Sequence, residues 1–510
     1  MSAATSIPSA GRRWLIMIAV MAATLMQVLD TTIANVAMPQ MQAALGATPE
    51  SVAWVLTSYM IMAAIATPIT GWLEIRFGRR NLFAISIAGF TIASALCGMA
   101  ISLQMMVAAR ALQGIFGAFI GPLGQATLLD SSPREKHPQT MMIWGMGVMI
   151  GPILGPVLGG WLTDNYGWRW VFYINVPIGL AATVAIWGLI GKIQLPRRSF
   201  DLIGFAFLAL ALASFQLMLD RGSQQDWFNS TEIIIDAAIA LGAVWMFVVH
   251  SISAKEPLVS LELFSDRNFM ISVVFTMLIT GVSMAGSALV APMLQTLMGY
   301  DAMGTGMLMM PRGLGVVVAF PVATYLSRKV DNRLLIASGL ALTALSLRMM
   351  SHFDPLMGKE PFIYSGVVQG LGLGFAFLPL NILAFSTLAS HLRTEAAALY
   401  SLTRSLGGSA TISIMSAILS RNVQVNHAEL GEHLSFGGLH LMGKDILGHL
   451  GEPGGMVMRM LDLEINRQAL FIAYMDDFWL MMWVAIFSLP LVFFLGKPRA
   501  GAESPPVHLE

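Results

Sequence analysis

Apolar runs close to twenty residues long recur along this chain, beginning near Trp14. Each can cross about 30 Å of hydrocarbon as a helix. Lipid offers no water to unpaired backbone groups, so such a chain is confined to helices or a closed barrel. Composition agrees: 56% of the 510 residues are hydrophobic and 11% charged, against about 25% charged in soluble domains. The expected fold is an all-α polytopic membrane protein. About fourteen helices are expected, the first at 14–37 and the last at 477–496. Those at 201–219 and 231–250 are short.

The apolar runs divide the chain into a cytoplasmic N-terminus (1–13), a six-helix bundle (14–190), an inserted helix pair (201–250), a second six-helix bundle (269–496) and a cytoplasmic tail (497–510). The first run is too long for a cleaved signal peptide and reads as a retained span. Alternate loops collect Arg76, Arg79 and Arg80, then Arg134 and Lys136, then Lys192, Arg197 and Arg198, then Arg328, Lys329 and Arg333. The opposite loops hold few basic residues beyond Arg169, Arg221 and Lys359. By the positive-inside bias, both termini are expected in the cytoplasm. Residues 421–476 then form a long outward segment with His427, His433, His440 and His449, and with an amphipathic stretch, MVMRMLDLEINRQALF (456–471), whose Met456, Met460 and Leu463 keep helical spacing. No two of these histidines are three or four apart, so a solvated loop is expected rather than a metal site. The stretches WLEIRFGRR (72–80) and YLSRKVDNR (325–333) hint at a repeat, a common transporter plan in which halves face each other across a midplane site.

Net charge is zero, which leaves no overall basic footprint for nucleic acid. The single cysteine, Cys97, permits no internal disulfide. No P-loop, H-E-x-x-H or G-x-S-x-G motif is present, so neither an ATP engine nor a hydrolase is expected. No cofactor is expected, and an ion gradient remains as the drive.

Charges inside the apolar runs carry the functional signal. Asp30 lies in MQVLDTTIANVAMP (26–39). An aspartate at a helix centre costs about 2.5–3.5 kcal/mol on insertion scales. Protonation relieves much of that cost, so Asp30 reads as a proton carrier or as a structural carboxylate locked to a donor. Arg110 lies in RALQGIFGA (110–118), with Gln113 and Gly114 on the same helix face. It can hold a proton relay in place, compete with the proton for Asp30, or snorkel to a helix end. Arg312 and Arg404 are further intramembrane arginines that face an aqueous cavity or lie near a helix end. In GVMIGPILGPVLGGWL (147–162), Gly147, Gly151, Gly155 and Gly159 line one face, and Pro152 and Pro156 favour a bend. Such a helix suits a seal or pivot between two halves. In GWLEIRFGRR (71–80), Gly78 can take positive φ, and Arg76, Arg79 and Arg80 can clamp acidic groups or helix ends of the other half. The 37 methionines suit an adaptable apolar cavity or plain gap filling.

These segments together resemble the major facilitator superfamily, and within it the fourteen-helix drug:proton antiporters. LDTTIANVAMP is similar to that group's first-helix motif, with Asp30, Thr32, Asn35 and Pro39 in place. GWLEIRFGRR resembles the loop motif after the second helix, RALQGIFGA the fourth-helix motif, and GPILGPVLGG the fifth-helix motif of exporters. WRWVFYINVPIG (168–179) is similar to the opening of helix six. The resemblance implies a major facilitator fold of two six-helix bundles plus an inserted central pair. It also implies export of lipophilic toxic compounds against proton influx, with Asp30 and Arg110 in proton coupling. Asn35, Gln113, Arg312 and Arg404 are then cavity candidates. Gly71, Glu74, Arg76, Gly78, Arg79, Arg80, Gly151, Pro152, Gly155, Pro156 and Gly159 become gating candidates. LMLDRGSQQDWFNS (217–230), LFSDRNF (263–269) and the 421–476 segment resemble the inner-membrane pumps of Gram-negative tripartite systems. That likeness implies a periplasmic adaptor of EmrA type and an outer-membrane channel of TolC type. One departure stands out: the loop motif carries an aspartate just before its first arginine, where this chain has Ile75, with Glu74 one position earlier. The alternatives to an exporter are a proton-coupled importer of a metabolite and an intramembrane enzyme.

Overall fold

The computed structural model describes residues 9–191, 199–222, 225–389, 392–432 and 454–496. Among them there are helices and no strand. Long helices follow one another as α1 (Ala10–Leu45), α2 (Trp54–Phe77), α3 (Arg79–Gly98), α4 (Leu103–Ser131), α5 (His137–Tyr166), α6 (Trp170–Leu189), α7 (Leu202–Gly222) and α8 (Thr231–Ser253). They continue as α9 (Arg267–Leu297), α10 (Ala302–Leu326), α11 (Asn332–Met350), α12 (Glu360–Ser386), α13 (Arg393–Glu432) and α14 (Gly454–Ser488). Among the described residues, 12 helices are long and apolar enough to cross a membrane. The two outside that set are α5 and α13, so fourteen crossings remain an expectation.

Short polar side chains set the helix starts. Ser102 accepts from the Met105 amide at 3.3 Å to begin α4, and Asp266 accepts from Phe269 at 2.9 Å to begin α9. Asp301 and Asp331 do the same for α10 and α11, each at 3.0 Å. Each cap satisfies an amide that the helix cannot. Gly78 separates α2 from α3 with φ of +79°, a conformation that a side chain would strain.

The glycine face of α5 packs on α1. A Cβ on Gly151 would lie 2.4 Å from Val28 Cγ1, and one on Gly155 would lie 2.0 Å from Thr32 Oγ1. On Gly159 it would lie 3.0 Å from Ile33 Cγ2. The close approach therefore belongs within the first half of the chain, not to a seam between halves. Pro152 and Pro156 lie in the same helix. Contact with the second half is made elsewhere on α5, where a Cβ on Gly145 would strike the Phe320 ring at 2.6 Å.

The two helices of the inserted pair differ: α8 is mostly exposed, whereas α7 packs into the bundle. Helix α7 lies between α2 and α13. Leu212 of α7 shares one apolar cluster with Ala64 of α2 and Leu402 of α13. Gln216 donates to Ser409 Oγ at 2.8 Å, and Leu219 O accepts from Ser413 Oγ at 2.9 Å. Both halves are thereby tied to α7.

The segment 421–476, expected as a solvated loop, is largely helical where it is described. Residues 421–432 prolong α13, and α14 begins at Gly454. His427 Nε2 meets Asp462 Oδ1 at 3.0 Å, joining the two extensions. The hydrocarbon limit that ends an apolar run does not end a helix, whose backbone bonds continue in water. His433, His440 and His449 lie outside the described residues.

Candidate functional site

Asp30 is 1% exposed and held by side chains of two other helices. Its Oδ2 accepts from Arg110 Nη1 at 2.6 Å. Its Oδ1 accepts from Gln113 Nε2 and from Asn175 Nδ2, each at 2.8 Å. Arg110, also 1% exposed, donates further to Gln113 Oε1 at 2.7 Å and to the Val55 carbonyl at 3.0 Å. The guanidinium stacks over the Tyr59 ring at 4.4 Å. Asn175 Nδ2 lies 3.0 Å from Ser94 Oγ, which donates to the Phe172 carbonyl at 2.9 Å. A buried charge of this kind is tolerated only when paired and hydrogen-bonded. The snorkelling alternative for Arg110 is excluded, since its head is enclosed.

The chemistry follows from the donor set. Ionised Asp30 is an acceptor only, and it receives three donors. Protonation turns one oxygen into a donor and frees Arg110 from its counter-ion. A proton would therefore compete with Arg110 for one carboxylate, which links α1, α4 and α6.

Packing holds this geometry. A Cβ on Gly114 would lie 2.4 Å from the Tyr59 carbonyl oxygen. Gly114→Ala should push α4 off α2, displace the Tyr59 ring from Arg110, and cost about 1–3 kcal/mol as overpacking does. A thermal melt of the purified protein measures this, and an unchanged midpoint contradicts it.

A second polar network lies at the end of the bundle expected to face the cytoplasm, called the inner end below. Arg79 is buried, and its Nε donates to Glu74 Oε1 at 2.6 Å. Its Nη1 lies 2.5 Å from Asp130 Oδ2, and its Nη2 lies 3.3 Å from Thr394 Oγ1. Arg393 also pairs with Asp130. Glu74 thus receives the arginine despite the missing acid at position 75. Residues of α2, α3 and α4 are joined here to the start of α13. Gly71 faces Glu395 across the same seam, where an added Cβ would lie 3.4 Å from Glu395 Cβ. Arg76 is exposed and outside the network. Arg80 turns away, 5.7 Å above the Trp187 ring.

The cavity candidates do not converge. Gln113 belongs to the Asp30 network. Asn35 is exposed and makes no side-chain hydrogen bond among the described residues. Arg404 lies over the Trp144 ring of α5 at 5.8 Å, between the halves. Arg312 donates to Ser283 and Ser287 of α9. Sequence reasoning missed Asn175, Tyr59, Asp130 and the buried pair Gln125–Asn381, whose amide and carbonyl meet at 3.3 Å across the halves. Asn175 lies in WRWVFYINVPIG (168–179), and its position among aromatic residues is the available signal.

Comparison with known proteins follows the same lines. Residues 20–412 match the family described as Major Facilitator Superfamily. The chain is 34% identical over 493 residues to the multidrug export protein EmrB of Haemophilus influenzae, covering 96% of each chain. It is 35% identical over 500 residues to EmrB of Escherichia coli K12, covering 97% of this chain and 98% of that one. It is 34% identical over 483 residues to the fatty acid resistance protein FarB of Neisseria gonorrhoeae, covering 93% of this chain and 94% of that one. The crystal structure of the human organic anion transporter MFSD10 (TETRAN) superposes with a TM-score of 0.57 at 13% identity, covering 94% of this chain and all of that one, and shares the fold.

Proposed function

Because the chain belongs to the major facilitator superfamily, we propose that it exports lipophilic toxic compounds in exchange for protons. It is a multi-pass membrane protein, and a transporter rather than an enzyme. The observation that carries the proton-driven reading is Asp30, a buried carboxylate whose three donors come from two other helices. The multidrug reading is supported by full-length likeness to proteins named for multidrug export. Drug-triggered proton release from everted membrane vesicles tests both parts. Release on adding lipophilic compounds is expected. Uptake of substrate together with protons, in the opposite sense, favours a metabolite importer and counts against export.

The proposed setting is the bacterial inner membrane with both termini in the cytoplasm. The proposed partners are a periplasmic adaptor of EmrA type and an outer-membrane channel of TolC type. The paired extensions of α13 and α14 support this, because they carry a helical surface beyond the apolar span. Placing charges on the exposed faces of the two extensions, with Val425→Glu and Leu463→Glu, should abolish co-purification with the adaptor while the melting temperature stays within a few degrees. Retained co-purification counts against docking at this segment.

A further inference from the structure

Arg312 is an intramembrane charge that the Asp30 network does not use. From α10 it donates to α9: to Ser287 Oγ, to Ser283 Oγ, and to the Ser283 carbonyl at 3.0 Å. All three acceptors are neutral. Among the described residues no carboxylate pairs with the guanidinium. The nearby hydroxyls are committed as well. Ser287 Oγ donates to the Ser283 carbonyl at 3.1 Å, and Ser365 Oγ to the Phe362 carbonyl at 3.2 Å. A charge withdrawn from water is stable only when it is both hydrogen-bonded and paired.

A second donor beside it lacks a partner. Gln369 of α12 is 2% exposed, and its amide nitrogen has no acceptor. It lies against α9, where a Cβ on Gly286 would come within 3.3 Å of that nitrogen. The first half shows what is missing. Gln113 and Gln369 each precede a glycine packed on a carbonyl of a facing helix, that of Tyr59 at 2.4 Å and that of Arg312 at 2.0 Å from an added Cβ. Gln113 gives its amide to Asp30, whereas Gln369 has no acid to receive it. Arg312 and Gln369 line one cavity with Ser287, Ser365, Phe353 and Phe362, and none of its lining side chains is acidic. Its volume is about 30 Å³, room for a species about the size of one or two water molecules. An organic acid does not fit.

We propose that this cavity binds a single chloride ion, held by the Arg312 guanidinium and the Gln369 amide. A water molecule would satisfy the amide and leave the charge unmet. A monatomic anion accepts from both donors and neutralises the guanidinium within the available space. It would join α10 to α12 as the Asp30 carboxylate joins α1 to α4. The proposal goes beyond the export reading, since the site needs neither a drug nor a proton.

The test melts the purified full-length chain in chloride and in gluconate at one ionic strength. Gluconate is too large for the cavity. Wild type should melt higher in chloride, with a rise that follows concentration as binding to the native state alone requires. Arg312→Gln should raise the chloride concentration for a given rise by about tenfold or more, the effect of one lost charged hydrogen bond. Gln369→Leu should raise it severalfold. Each variant is read against its own melt in gluconate, so a general loss of stability drops out, and comparison with wild type removes bulk salt effects. Gln369→Leu removes a donor that has no acceptor, with little change in volume, and decides the matter if Arg312→Gln does not fold. Equal melts of wild type in chloride and gluconate mean that the cavity holds water only, and overturn the proposal. A chloride response unchanged in every variant that folds places the ion elsewhere and also overturns it. Drug-triggered proton release in vesicles is read separately. A chloride response that depends on Gln369, with no such release, leaves the site standing while the export reading fails.

Discussion

Vesicles carrying Asp30→Asn should release no protons when challenged with lipophilic compounds that trigger release in wild type. Asparagine cannot titrate, so the carrier is gone. The same change should also destabilise the protein. Arg110 would lose its counter-ion, and one of its donors would face an amide nitrogen instead of a carboxylate oxygen. Removing one partner of a buried ion pair costs about 3–5 kcal/mol. The variant should therefore melt well below wild type, and loss of release alone does not identify a carrier. The double variant Asp30→Asn/Arg110→Gln separates the effects. It removes both charges, so much of the stability should return while proton release stays absent. If either variant couples drug to protons as wild type does, Asp30 is a structural carboxylate and the assignment is sunk.

Arg79→Ala should open the inner end. The single guanidinium joins Glu74, Asp130 and Thr394, and only the last lies in the second half. Losing it leaves Glu74 buried with a charge and no cation, and Asp130 with Arg393 alone. The pairs with Glu74 and Asp130 lie within the first half and persist when the halves part. The closed state alone therefore loses the charged hydrogen bond to Thr394, about 1.5–3 kcal/mol, which shifts the open–closed ratio by about tenfold or more, at tenfold per about 1.4 kcal/mol. Spin labels at exposed positions 76 and 328 read the separation of the halves. The one native cysteine, Cys97, is buried and should not label. Wild type should show one short distance and Arg79→Ala a longer one. Identical distributions would falsify the latch. Arg79→Lys should fall between, because one ammonium cannot serve three partners that a planar fork reaches.

The legible residues share one property: each is a charge or a helix breaker within an apolar run. Asp30, Arg110 and Gln113 stand out for that reason, and the structure brings them together. Gly78 and the α5 glycine face are legible through backbone geometry, although the partner of that face, α1, was not. Neutral or boundary residues were silent. Asn175 and Tyr59 are ordinary near a membrane surface, and Asp130 ends a helix where an acid attracts no notice. The pairing of Asp130 with Arg79 depends on tertiary contact, which no local pattern encodes. The helical extension of α13 is not legible because hydropathy detects hydrocarbon, not helix, whereas the spacing of Met456, Met460 and Leu463 does mark the start of α14 as helix. Arg312 was visible as a charge. Its lack of a counter-ion was not, since that requires knowing every neighbour.

Helix α13 runs unbroken for 40 residues, from Arg393 and Thr394 at the latch to Glu432. At 1.5 Å per residue that is about 60 Å, twice the hydrocarbon thickness. Its two ends therefore behave like the arms of a seesaw. A tilt of about 10° about its middle would move each end by about 5 Å in opposite directions. Whatever grips the far tip feels whether the latch is shut, with no relay of side chains in between. A clamp on that tip would in turn bias the latch, so a docked neighbour and the inner end are mechanically in conversation through one rod.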